Sequence, residues 1–379
     1  MQDIHVAKIR RVVVRGTNWV GDAVMTVPAL RELRRLLPNA HITLATRPWV
    51  RGLFADADFV DDLLIYNRGG VWSLLKQIRE WRKQRFDLAV VLPNAFEAAL
   101  IPALARVPFR IGYATDGRKA LLTNPLPLPE WRSSKHEIYY YLNIIAETEH
   151  LLTGEQIISE RQPDDSLHIS EARRQQGLTL LRSKGLRGDG PTVALCPGSI
   201  NSRAKRWPAE RYAAVADSLI DELRAEVLLI GSKEETDVSL DVAQRMRNKP
   251  IMLTGQTDLA QSAAVLSLVD LLVTNDTGPA HIAAALRRPT LVIFGPTNPL
   301  TTRPFSATAQ ILRHPPDCAP CMLRDCPIDH RCMTAITPQD VFERARLLLE
   351  ENILAREAPD ALHRIQTESA NTSHAHHTK

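Results

Sequence analysis

The chain has 379 residues, 44% hydrophobic and 24% charged, which excludes a disordered or fibrous protein and leaves room for two domains of ordinary size. Its net charge of +4 comes from basic residues scattered among acidic ones, a balance that suits an anionic ligand or a membrane surface and does not call for nucleic acid. No stretch approaches the roughly 18 apolar residues of a membrane span and the N-terminus lacks a signal-peptide hydrophobic region, so a cytoplasmic protein is the expectation.

In chain order, Arg11-Val12-Val13-Val14-Arg15 reads as a short strand. The polar, glycine-containing loop Gly16-Thr17-Asn18-Trp19-Val20-Gly21-Asp22 follows, then a helical pattern over 23–37 in which Pro28 predicts a kink. Further strands are expected at 42–45, 63–66, 88–92 and 109–113, separated by helical stretches such as 72–83 and 96–105. Such alternation predicts a parallel sheet wrapped by helices, with functional loops at the carboxyl ends of the strands.

Three glycines and a proline in 184–191 mark a linker. A second series follows, with strands at 192–195, 226–230, 271–273 and 290–294. Its helices run from Trp207-Pro208 to about Leu223 and over 259–269 and 338–351. The expected architecture is therefore α/β, two doubly wound domains facing across a cleft: 1–183, the linker 184–191, and 192–355. A polar tail, 356–379, is expected to be disordered. No Gly-x-Gly-x-x-Gly follows the first strand and no Walker-type Gly-Lys-Ser/Thr is present, which weakens a dinucleotide-binding reading.

The chemistry gathers in three places. Thr274-Asn275-Asp276-Thr277-Gly278-Pro279-Ala280-His281 interrupts a strand-to-helix passage with more polar groups than a helix cap requires. Unpaired amides and the helix dipole there would favour an anion, and Gly278 would let a phosphate approach the main chain. A capped helix without ligand is the competing reading. Asp22 closes the first loop, either as an acidic cap or as a general base facing the cleft. Lys205-Arg206 precedes Trp207-Pro208 and is either a solvated charged loop or a pair of cations for a departing diphosphate.

Together these residues resemble the ADP-heptose:lipopolysaccharide heptosyltransferases, glycosyltransferase family 9. The resemblance rests on Asn18-Trp19-Val20-Gly21-Asp22, Leu92-Pro93-Asn94, Cys196-Pro197-Gly198, Ala204-Lys205-Arg206-Trp207-Pro208, and Asn275-Asp276-Thr277-Gly278 with His281. It spans roughly residues 9–349 in the same order, and the first and fourth motifs are closer to the type II than to the type I members. It implies the GT-B fold, two Rossmann-like domains with the acceptor on the first and the sugar nucleotide on the second. The implied activity is inverting transfer of L-glycero-D-manno-heptose from ADP-heptose to the first heptose of the lipopolysaccharide inner core. A type I reaction, or another acceptor or sugar nucleotide, is the alternative.

The resemblance also assigns roles. Asp22 would be the base and Lys205 would stabilise the leaving ADP. Ser199, Lys205, Arg206, Asp276, Thr277, Gly278 and His281 would hold the donor, with Glu234 or Glu235 at the adenosine ribose. Asn18, Trp19, Gly21 and Asn94 would meet the acceptor, a heptosyl-Kdo2-lipid A at the cytoplasmic face of the inner membrane, approached by peripheral contact. Basic and aromatic residues such as Arg47, Trp49, Arg51, Arg118 and Lys119 are candidates for its acidic groups, or ordinary solvated surface. No metal is expected in catalysis.

One feature departs from the best-known members. Cys318-x2-Cys321-x4-Cys326-x5-Cys332 has a spacing that could wrap a structural zinc or an iron–sulfur cluster. Reduced or paired thiols and a redox protein centred on the cysteines are the competing readings. Cys196 is expected to be a small buried residue.

Overall fold

A computed structural model describes residues 8–67, 69–352 and 354. The expected polar tail lies outside these residues. The first sheet starts at β1 (Arg11–Arg15), whose run of β-branched residues is fully buried and pairs in parallel on both sides. Around it stand β2 (His41–Thr46), β3 (Asp62–Ile65), β4 (Leu88–Val91), β5 (Phe109–Tyr113) and β6 (Asn124–Leu126), in the order β3-β2-β1-β4-β5-β6. The second sheet comprises β7 (Thr192–Cys196), β8 (Glu226–Leu229), β9 (Ile251–Met252), β10 (Leu271–Asn275), β11 (Thr290–Ile293) and β12 (Ala309–Leu312), ordered β12-β11-β10-β7-β8-β9. Every recorded pairing is parallel, so each connection must cross a face of its sheet. The result is the anticipated pair of Rossmann-like units.

The first loop leads into α1 (Val20–Met25). Pro28 breaks the expected 23–37 helix as foreseen: α1 stops before Thr26 and α2 (Val27–Leu36) begins with Pro28 in its first turn. Then come α3 (Val71–Gln84), α4 (Phe96–Leu104), α5 (Glu137–Thr153), α6 (Glu171–Ser183), α7 (Ala209–Leu223), α8 (Thr236–Arg245), α9 (Leu259–Leu266) and α10 (Gly278–Ala285), with a last helix over 338–352. Sequence periodicity had not singled out α5, α6 or α8. The first two are the crossing segments between the sheets.

The two units are packed firmly together. Leu33 of α2, Leu181 of α6, Leu266 of α9 and Ile282 of α10 belong to one continuous apolar cluster. On the surface, Arg173 of α6 pairs with Asp56 at 2.6 Å and donates to the carbonyls of Gly52 (3.1 Å) and Ala260 (2.9 Å), tying the end of β2's loop to α9. Residues 184–191 carry no regular element and lead directly into β7.

Candidate active site

The cleft is organised by the N-termini of two facing helices, α1 from the first unit and α10 from the second. They approach so closely that a Cβ on Gly278 would lie 2.9 Å from the Cβ of Val20, and one on Gly21 would lie 3.1 Å from His281 Cδ2. These glycines are needed for proximity: neither has a left-handed backbone. The first-unit loop carrying Gly21 and Asp22 therefore meets the Asp276–His281 stretch, as the sequence reading anticipated.

Asp22 sits in the first turn of α1, only partly exposed. Burial, reinforced by the negative charge of Glu137, raises its pKa to about 6. Three groups pull the other way: Tyr141, whose hydroxyl donates to Oδ1 at 3.4 Å, and the charges of Lys205 and Arg132. The Tyr141 hydroxyl also lies near Glu137 and lowers its pKa, and Arg132 grips the Glu137 carboxylate with a two-pronged contact at 2.5 and 2.9 Å. Burial raises the pKa of Glu137 as well. The resulting chain runs from Arg132 through Glu137 and Tyr141 to Asp22. None of the first three was singled out in the sequence. The stretch Ile138-Tyr139-Tyr140-Tyr141 reads as apolar helix, and only the facing partners reveal a polar duty.

Across the cleft, Lys205 Nζ lies 2.7 Å from Asp276 Oδ2 and 3.2 Å from its carbonyl. Asp276 is buried and also accepts from Thr297 Oγ1 at 2.7 Å. Asn275 braces the loop below: its amide donates to the carbonyls of Pro197 and Gly198, while its Oδ1 accepts from the Trp207 amide and the Tyr212 hydroxyl. That bracing explains why Cys196-Pro197-Gly198 and Lys205-Arg206-Trp207 converge although 71 residues separate Lys205 from Asp276. Thr277 caps α10 without a side-chain bond to its amides; Pro279 has no N–H and the Ala280 N–H bonds the Thr277 carbonyl at 3.1 Å, so Gly278 is the first-turn amide left for a ligand. His281 is buried. Burial pushes its pKa down to about 4 despite the opposing pull of Asp276, so the imidazole is neutral at pH 7.

The remaining donor candidates divide. Arg206 is committed to the Ser199 carbonyl through Nε (3.1 Å) and Nη2 (2.9 Å), shaping the loop. Glu234 is exposed, whereas Glu235 is buried, closes a capping box with Ser232, and presses so close to Gly198 that a Cβ there would lie 2.2 Å from Oε1. Of the two, Glu235 borders the site.

On the first unit, one acceptor candidate, Asn18, lines a depression together with Arg15, Arg47, Tyr66, Pro93 and Glu97. The Tyr66 ring is stacked by Arg15 at 3.4 Å and by Arg47 at 5.0 Å, and its hydroxyl donates to Asn18 Oδ1 at 3.0 Å. Trp49 is exposed and donates to the Asn18 carbonyl. Asn94 accepts from Tyr140 at 2.8 Å. Arg51 and Lys119 are exposed. Arg118 is a correction: it is 0% exposed, and its guanidinium donates to the carbonyls of Tyr113, Pro93 and Ala95. It fastens the β4 loop to β5 and is removed from ligand contact.

The cysteine loop gives the expected metal site no support. Among the described residues no three His, Cys, Asp or Glu side chains come together in a way that could hold a metal ion. Cys318 is exposed, while Cys332 is turned into the core beside Gly295, where burial pushes its thiol up to about 11. Cys326, Cys321 and Cys318 lie near enough to Cys332 for their charges to push its thiol up further. Cys196 is buried as expected, its thiol pushed up to about 12 by burial.

A sequence profile of glycosyltransferase family 9 (heptosyltransferase) matches residues 71–331. The chain belongs to glycosyltransferase family 9. Lipopolysaccharide heptosyltransferase 2 of Escherichia coli is 29% identical over 348 residues, covering 89% of this chain and 98% of that protein. Lipooligosaccharide heptosyltransferase 2 of Haemophilus ducreyi is 30% identical, over 80% of this chain and 88% of the relative. The structure of ADP-heptose lipopolysaccharide heptosyltransferase II of E. coli superposes with a TM-score of 0.76 at 28% identity, across 90% of this chain and 99% of the other. The GT-B architecture and a glycosyltransferase activity follow for this family 9 enzyme.

Proposed function

We propose that this glycosyltransferase moves L-glycero-D-manno-heptose from ADP-heptose to the first heptose of a heptosyl-Kdo2-lipid A acceptor, with inversion. The observation that carries this reading is the opposition of Asp22 to the Lys205–Asp276 pair across one cleft, in a chain whose relatives are named heptosyltransferase 2. In this reading residues 1–183 bind the acceptor, 192–355 bind the nucleotide sugar and 184–191 join them.

Asp22 takes the proton of the acceptor hydroxyl as that oxygen bonds to the anomeric carbon, and the bond from that carbon to the phosphate oxygen breaks. Lys205, the Gly278 amide and the positive end of the α10 dipole receive the charge that collects on the departing ADP. Neutral His281 offers hydrogen bonding without adding positive charge, and Glu235 takes the ribose hydroxyls. Asn18, Trp19, Gly21 and Asn94 line the acceptor side, where Arg15 and Arg47 suit its acidic groups. The enzyme works at the cytoplasmic face of the inner membrane through peripheral contact; among the described residues no helix is long and apolar enough to cross a membrane.

The test is transfer from ADP-heptose to two acceptors, one carrying a heptose on the Kdo sugars and one carrying the Kdo sugars alone. Product from the heptose-bearing acceptor alone is expected. Product from the Kdo-only acceptor would mean the type I reaction, and ADP binding without either product would refute the assignment.

A further inference from the structure

Of six tryptophans, six tyrosines and eight phenylalanines, the exposed ones are Trp19, Trp49, Trp72 and Phe96, at 54, 51, 84 and 46%. All four stand just past the carboxyl ends of neighbouring strands. Trp72 follows β3, Trp49 follows β2, Trp19 follows β1 and Phe96 follows β4, in the order in which those strands lie side by side. Scattered exposed apolar residues are ordinary, but a row of aromatics confined to one edge of one sheet is not.

Helix α3 extends this edge. Its inner face is anchored by Ile78 and Trp81, both buried. Its outer face carries Val71, Trp72 and Leu75 at the start and then Lys76, Arg79, Arg82 and Lys83, all exposed. The single acidic residue of the helix, Glu80, is half-buried and takes a hydrogen bond from Gln84. The outer face is thus apolar and aromatic at one end and cationic along the rest.

We propose that this edge, with the outer face of α3 as the main contact, docks on a bilayer surface bearing anionic phospholipid. Indole rings favour the boundary between headgroups and acyl chains, and Lys and Arg side chains are drawn to the negative surface potential. The proposal rests on the function given above for the identity of the acceptor: a sugar chain anchored in that bilayer has to reach Asp22, three residues beyond Trp19. Docking along this edge would turn the acceptor mouth of the cleft toward the surface from which the substrate projects.

The experiment is co-sedimentation of the full chain with phosphatidylcholine vesicles, with and without phosphatidylglycerol, in the absence of donor and acceptor. Binding to the anionic vesicles that weakens as salt rises is expected. Trp72→Ser with Leu75→Ser, and separately Lys76→Glu with Arg79→Glu, should each weaken it by about tenfold or more. Both double variants should keep the wild-type thermal midpoint and the wild-type rate on a deacylated, water-soluble acceptor. Absent vesicle binding by the wild type, or equal binding by the wild type and both variants, would overturn the proposal. Because the readout involves no sugar, a protein that docks yet transfers no heptose would refute the function and keep the docking surface. Transfer without docking would do the reverse.

Discussion

Asp22 illustrates how one environment sets both chemistry and stability. With its pKa near 6, the carboxyl is ionised at neutral pH yet remains basic enough to accept a proton. Asp22→Asn should reduce kcat by about 10²- to 10⁴-fold while leaving ADP affinity within a factor of two or so, measured by steady-state assay and calorimetry. Folding raises this pKa above the 3.8 of an ordinary Asp, so the folded protein holds the proton more tightly than the unfolded chain. Ionisation therefore opposes folding, with no penalty below about pH 4 and the full penalty above about pH 6. Asn removes it: the variant should melt higher than wild type at pH 7.5, by about 1–3 kcal/mol, and the difference should vanish toward pH 4. In the wild type the same titration predicts that kcat/KM falls below about pH 6 with a slope of one proton. Tyr141→Phe removes the donor to Asp22 and should move that acid limb upward while leaving KM for ADP-heptose unchanged. An unmoved limb would make Tyr141 a packing residue only. Spacing alone left Asp22 open between a helix cap and a base; only the family resemblance favoured the base. Arg132, Glu137 and Tyr141 were not read at all, because the consecutive Tyr139, Tyr140 and Tyr141 show no polar pattern and α5 was not singled out. Arg118 misled for the converse reason: an Arg-Lys pair between strands looks solvated until its guanidinium is seen serving three backbone carbonyls.

At the level of elements, the site exists because two helix starts can touch. Gly278→Ala would set a methyl group 2.9 Å from the Val20 Cβ and 3.0 Å from its Cγ1, so the ends of α1 and α10 must separate by several tenths of an ångström. Turnover should fall about tenfold or more, given how steeply catalysis depends on reacting geometry. Adding Val20→Ala, which vacates the space, should restore much of it. A double variant as poor as the single would locate the defect in α10 itself. Strand positions were read well from β-branched runs bounded by turns, as in Val12 to Val14. The short strands β6, β9 and β12 escaped: Asn124-Pro125-Leu126, Ile251-Met252 and Ala309-Gln310-Ile311-Leu312 are too brief to show a period, and are strands only because a neighbouring edge accepts them.

For the whole molecule, the decisive contacts are those that join the units. The two-unit plan could be read from the alternation of strands and helices on either side of 184–191. Their close packing could not, because α6 precedes the linker yet lies against α9. Arg173 is the clearest single clasp. Arg173→Ala would leave Asp56 without its partner and release two carbonyls, and should lower unfolding free energy by about 1–2 kcal/mol in a urea titration. A loss below about 0.5 kcal/mol would mean that apolar packing alone holds the units.

The order of the strands along the chain also sets a schedule for synthesis. All six strands of the first sheet are complete by Leu126, so that unit can fold on the ribosome while the second is still being made. Gly278 and the helix it begins emerge about 150 residues later, a delay of roughly 8–30 s at typical elongation rates. Throughout that interval Asp22 has none of the second unit opposite it. On the proposed mechanism, transfer must wait for the second unit to arrive.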